Sequence, residues 1–177
     1  MTRAVRILGD VLVWLLAVLG LVGALVWGAA KAGLIQPLVV ISGSMEPAIM
    51  TGDLLVDRPH PTAELEPGDI ASIRSEVTGA IITHRVVGVE EAPDGSWLVT
   101  LKGDANEAQD GEAYELGDTV WQPAVRVPGA GTFVMTLTKP SVAIPLVVAL
   151  VALFGLTTLR HDEKRPTRRE PESVVSS

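Results

Sequence analysis

Ala80-Ile81-Ile82-Thr83-His84-Arg85-Val86-Val87-Gly88-Val89, then Pro93-Asp94-Gly95, then Trp97-Leu98-Val99-Thr100-Leu101 is the stretch that decides the fold. Its apolar runs, residues 80–83, 86–89 and 97–101, are short and rich in β-branched residues, which suit pleated, half-buried strands, one to each run. Pro-Asp-Gly between such runs favours a tight reversal, so the segment reads as short strands closing in a hairpin. The pattern repeats outward. Leu54-Leu55-Val56 and Ile70-Ala71-Ser72-Ile73 are strand candidates, set off by Thr51-Gly52-Asp53, Glu66-Pro67-Gly68-Asp69 and Gly117-Asp118. Residues 120–127 form a further strand, in which Pro123 predicts an edge position or a bulge. No helical periodicity of useful length and no repeat occurs in this middle part. The sequence predicts a mainly β domain over residues 31–140, barrel-like or of packed sheets, flanked by two transmembrane helices.

Composition supports that division. Of the 177 residues 47% are hydrophobic, and much of this content lies in two terminal runs, residues 11–30 and 142–159. The roughly one hundred residues between them suffice for a small core. Without cysteine the chain has no disulfide framework and no thiolate metal site. Residues 32–140 carry six basic side chains against sixteen acidic ones, a net −10, which disfavours nucleic acid as a partner.

Residues 11–30 contain no charge. As a helix they rise about 30 Å, the thickness of a bilayer core. A cleaved signal peptide is the alternative, with Arg3 and Arg6 in front and Ala30-Lys31-Ala32 as the cleavage site, but such apolar regions usually run only about 7–15 residues. Residues 142–159, with Pro145 near their start, read as a second span of marginal length, with a buried hydrophobic helix as the alternative. Arg3, Arg6, Arg160, Lys164, Arg165, Arg168 and Arg169 flank the two runs. By the positive-inside rule the expectation is a multi-pass protein of the cell membrane, both termini cytoplasmic and the β domain extracytoplasmic. Residues 160–177 are expected to form a disordered tail.

Ser42-Gly43-Ser44-Met45-Glu46-Pro47 follows the first span and the apolar Pro37-Leu38-Val39-Val40-Ile41. A serine nucleophile needs a base and a group to hold that base. His84 and the acidic segment Gly103-Asp104-Ala105-Asn106-Glu107-Ala108-Gln109-Asp110 follow in order. Taken singly, each has an ordinary reading: a serine-rich loop, a structural histidine, a solvated acidic turn. No calcium-loop spacing is met, and no metal or other cofactor is expected.

The joint pattern resembles the type I signal peptidases. Ser-Gly-Ser-Met-Glu-Pro, Gly52-Asp53-Leu54-Leu55, Pro67-Gly68-Asp69-Ile70, His84-Arg85-Val86, Lys102-Gly103-Asp104-Ala105-Asn106 and Val125-Arg126-Val127-Pro128 stand in the family's order over residues 38–131. A histidine where the common bacterial enzymes place a lysine resembles the endoplasmic-reticulum-type branch, found also in archaea and some Gram-positive bacteria. The resemblance implies Ser44 as nucleophile, His84 as base and Asp110 as orienting acid. It implies Asp104 as a supporting carboxylate and Ser42 as a helper of the oxyanion site. Gln109 departs from the family, which often has another aspartate there. The implied function is a membrane-bound serine endopeptidase that removes signal peptides from exported preproteins, with those peptides and the bilayer as partners. Oligomeric state is left open. The rival readings are a Ser–Lys dyad through Lys102, and a catalytically silent, membrane-anchored assembly or binding module.

Overall fold

The structure of the chain is a computed structural model that describes residues 3–162 apart from Val77 and Glu112. The chain divides into two compact units, Met1–Phe133 and Val134–Ser177. The first opens with helix α1, Arg3–Lys31. It ends where Gly33 takes φ 70°. The Leu34 amide then donates to Ala29 O at 3.0 Å and the Gly33 amide to Ala30 O at 3.1 Å. This pair of bonds satisfies carbonyls that a helix end leaves open, and the left-handed turn suits glycine.

Among the described residues the rest of this unit is mainly a seven-stranded antiparallel sheet, with a short 3-10 turn at Thr62–Glu64. The strands are β1 (Gln36–Val39), β2 (Leu54–Pro61), β3 (Ile70–Arg74), β4 (Ile81–Glu91), β5 (Trp97–Lys102), β6 (Tyr114–Leu116) and β7 (Thr119–Val127), in spatial order β1-β2-β7-β3-β4-β5-β6. β7 pairs along the length of β2 but meets β3 only at Ser72↔Trp121, and there the sheet curls into a half-barrel. Two apolar clusters result. One holds Leu65, Ala71, Ile73, Val86, Val99, Leu101 and Val120. The other, Met45, Ile49 and Leu55 with Leu38, Val40 and Ile70 around them, lies under the loop that carries Ser44. Full burial of each large side chain is worth about 1.5–3 kcal/mol.

The hairpin at residues 92–96 forms as expected, with Gly95 at φ 86° and the Ala92 amide donating to Ser96 O at 2.8 Å. Residues 80–83 and 86–89 are not separate strands. They belong to the single strand β4, which absorbs an irregularity between Val86 and Gly88 as a bulge. Pro123 lies in β7, inside the sheet and not at its edge. It stands opposite Asp57 where the register shifts, so the bulge of the two expectations is the one found. β6 and helix α2 (Ala130–Thr138) arise where no element was expected.

Within the second unit, α2 continues and helix α3 spans Pro140–Asp162. The multi-pass topology with both termini cytoplasmic is overturned here. Among the described residues one helix alone, Val11–Lys31, is long and apolar enough to cross a membrane. The second apolar run instead belongs to α3, which follows α2 across a bend of 72°. The break falls at Lys139–Pro140, where a proline disfavours helical geometry in the residue before it. Of the tail expected to be disordered, residues 160–162 are instead the helical end of α3, while the rest, with the basic cluster from Lys164 on, lies outside the described residues.

Candidate active site

Ser44 sits in the loop between β1 and β2. Its neighbour Met45 is 2% exposed and packs with Ile49 and Leu55, so one side of the loop is anchored in the core. The other side is tied by Asp53. Its Oδ2 accepts from the Met50 amide at 2.9 Å and Arg126 Nε at 2.6 Å, and its Oδ1 from the Gly129 amide at 3.0 Å. Arg126 also donates to Ala48 O. Burial pushes the Asp53 carboxyl up, but the Gly129 and Met50 amides and then Arg126 outweigh it and hold the group below its ordinary range.

His84 lies on β4 and is buried, 8% exposed. Its Nε2 is 3.0 Å from Ser44 Oγ. Its Nδ1 is 2.9 Å from both Oδ1 and Oδ2 of Asp110. A carboxylate only accepts, so Nδ1 carries the proton and Nε2 presents its lone pair to the serine hydroxyl. Asp110 is placed by its own amide, which donates to Leu101 O at 2.8 Å as the chain leaves β5. Ser44, His84 and Asp110 therefore meet from three segments separated by 40 and 26 residues. Ser42 Oγ lies 3.4 Å from Ser44 Oγ.

Asp104 stands elsewhere. Its two oxygens accept from Arg85 Nε at 2.8 Å and Arg85 Nη2 at 2.7 Å, while Arg85 Nη1 donates to Gly68 O at 2.6 Å. The guanidinium bond holds Asp104 below the usual carboxylate range against the opposing effect of burial. Just before it, Gly103 has no room for a side chain, since a Cβ there would lie 2.6 Å from Ser44 O. The Ala105 amide donates to that same carbonyl at 2.9 Å. Lys102 makes no hydrogen bond to Ser44 among the described residues. Nor does any cluster of three or more His, Asp or Glu side chains there stand close enough to hold a metal.

The serine and histidine open into a cleft of about 560 Å³. β1 and its continuation, Leu38 to Ile41, form one wall, and Ile81, Ile82 and Thr83 of β4 the other. Ile41, Met45 and Ile82 all line it. β1 pairs only with β2, and residues 81–84 of β4 pair only with β3, because β5 joins from Arg85 on. Both walls thus offer backbone groups without a strand partner among the described residues. Tyr114, whose hydroxyl donates to Asp110 Oδ2 at 3.0 Å, and the Arg85–Asp104 pair escape sequence reasoning. The one available signal was the position of Arg85 beside His84.

No family model matches the chain. The human signal peptidase complex catalytic subunit SEC11C is 39% identical over 80 residues, 45% of this chain and 42% of the relative. SEC11 of Tuber melanosporum is 39% identical over 88 residues, 45% of this chain and 47% of the relative. Human SEC11B is 35% identical over 109 residues, 56% of this chain and 66% of the relative. The matches to SEC11C and the fungal SEC11 span less than half the length of those relatives. The fold brings Ser44, His84 and Asp110 together, with the serine and histidine lining one cleft, and by sequence the chain is homologous to the SEC11 family of signal peptidase complex catalytic subunits.

Proposed function

We propose that this chain is a membrane-anchored serine endopeptidase that removes signal peptides from exported preproteins, working through Ser44, His84 and Asp110 rather than a Ser–Lys pair. One observation carries the reading: a single hydrogen-bonded line from Ser44 Oγ through His84 to Asp110, at 3.0 Å and 2.9 Å, beside an open apolar cleft. Homology to SEC11 subunits supports the same reading.

Ser44 Oγ attacks the scissile carbonyl as His84 Nε2 takes its proton. Asp110 stabilises the imidazolium so formed. His84 then protonates the leaving amine, and water, activated by the same imidazole, hydrolyses the acyl-enzyme. The Ser44 amide and the Ser42 hydroxyl are the donors for the developing oxyanion. An extended segment enters the cleft by adding a strand to the unpaired backbone of both walls, and the apolar lining takes small uncharged side chains. Helix α1 holds enzyme and substrate in one membrane, which raises their effective concentration. The β domain of residues 31–140 carries the chemistry.

The test is cleavage of a signal-peptide substrate by the full chain in detergent micelles. The wild type should cut it, and Ser44→Ala should be inactive at unchanged stability, since only a hydroxyl is lost. A Ser44→Ala chain of near wild-type rate sinks the assignment. A wild type that neither cuts nor reacts with a serine-directed acylating probe points to the silent module.

A further inference from the structure

Asp110 is engaged on two sides. His84 Nδ1 faces both of its oxygens at 2.9 Å, and the Tyr114 hydroxyl donates to Oδ2 at 3.0 Å. Tyr114 is a β6 residue in register with Val99 of β5, and it packs against the larger apolar cluster. A phenylalanine would fill that space equally well, so packing alone does not call for the hydroxyl. Asp110 itself lies on an irregular segment between β5 and β6. Its amide bond to Leu101 O fixes the chain but not the plane of the carboxylate, whose last torsion is soft.

We propose that Tyr114 is a positioning residue of the site: its hydroxyl fixes the rotation of the Asp110 carboxylate and so keeps the His84 imidazole aimed at Ser44. The proposal rests on the reading of Ser44, His84 and Asp110 as a catalytic triad. The phenol does not touch substrate and transfers no proton. It shares the negative charge of Asp110 while the imidazole is charged. Burial and then the Asp110 bond push the phenol up to about 12, so it stays a donor near neutral pH.

Tyr114→Phe is the test, in steady-state cleavage by the full chain in micelles. kcat should fall roughly three- to tenfold, the range of one modest hydrogen bond, with KM within about twofold. The acid limb of kcat/KM should move to higher pH, because an unshared Asp110 charge holds the imidazolium more firmly. A purely structural role would move neither that limb nor the kcat-to-KM split. An unchanged kcat with superimposable pH profiles overturns the proposal. If the wild type cuts and Ser44→Ala does not, such a result removes the proposal alone. If Ser44→Ala cuts as fast as the wild type, the triad reading fails and the proposal with it. A second measurement does not depend on folding of the phenylalanine variant. Tyr114 is the chain's single tyrosine, so tyrosinate absorbance titrates it alone. Its midpoint should fall in Asp110→Asn, and an unmoved midpoint overturns the proposal.

Discussion

Asp57→Asn should stabilise the folded chain at neutral and alkaline pH. Asp57 lies on β2 with no exposed surface, and neither of its carboxylate oxygens has a hydrogen-bond partner. Gln36, its register partner on β1, adds another buried acceptor without a donor. Ser72, whose hydroxyl lies 2.8 Å from Thr83 Oγ1, draws the carboxyl's pKa down against burial. Burial dominates and pushes Asp57 from 3.8 to about 6. A group with a raised folded pKa keeps its proton longer in the folded state than in the unfolded one. Stability therefore falls as pH rises from about 4 to about 6 and then levels off. At about 1.36 kcal/mol per tenfold change in affinity, the plateau loss is about 3 kcal/mol. Asparagine cannot ionise, and its amide adds the donor this site lacks. Urea unfolding of the full chain in detergent, followed by tryptophan fluorescence, to which Trp97 and Trp121 of the sheet contribute, would read the difference. The variant should gain up to about 3 kcal/mol near pH 8 and close to nothing near pH 4. A variant that is neutral or less stable near pH 8 would show that the carboxylate has a partner, and would refute reasoning from an orphaned charge.

Three further outcomes are expected. His84→Ala should lose several orders of magnitude in kcat, whereas Lys102→Ala should stay within about threefold, both read by single-turnover cleavage; the reverse order would establish a lysine base. Asp110→Asn should lower kcat by up to about 10⁴ with the fold intact, while Asp104→Asn, which frees one side of the Arg85 fork, should chiefly lower stability by about 1–3 kcal/mol; thermal unfolding and kcat on both variants separate these effects, and an exchange of the two patterns would exchange the roles. Gly103→Ala should impair cleavage more than stability, since its methyl group would press on Ser44 O, and equal rates in the two chains would show that the serine loop yields without consequence.

The β architecture could be read from the sequence because runs such as Ile70-Ala71-Ser72-Ile73 and Trp97-Leu98-Val99-Thr100-Leu101 combine strand-forming residues with turn chemistry at both ends. The continuity of β4 was hidden, since a bulge at Gly88 and a break at Gly88 have the same composition. β6, of three residues, is too short to show a period. Helix α2 is nine residues long and lacks acidic residues in its first turn and basic ones in its last. The expected second run, residues 142–159, lies wholly within α3, and the bend that sets α3 off from α2, at Lys139–Pro140, leaves no trace in the hydropathy. At the candidate site, residue pattern alone left Ser44, His84 and Asp110 with ordinary readings. The order of the motifs, through a family resemblance, was what joined them. The partner of Asp104 was out of reach, because it depends on the register that sets Arg85 opposite Lys102 at the exit of β5.

The tie between Ala105 and the Ser44 carbonyl, together with the central place of β7, has a consequence for biosynthesis. A ribosome delivers α1 and Ser44 first, His84 some 40 residues later, and Asp110 a further 26 after that. The strand that seats between β2 and β3 is delivered after all of them. Until it inserts, the two halves of the sheet have no common strand to hold Ser44 against His84 and Ala105. On the proposed function, a nascent copy emerging among other newly made membrane proteins is therefore chemically inert. On the same reading, hydrolytic power is expected only once that last strand closes the fold.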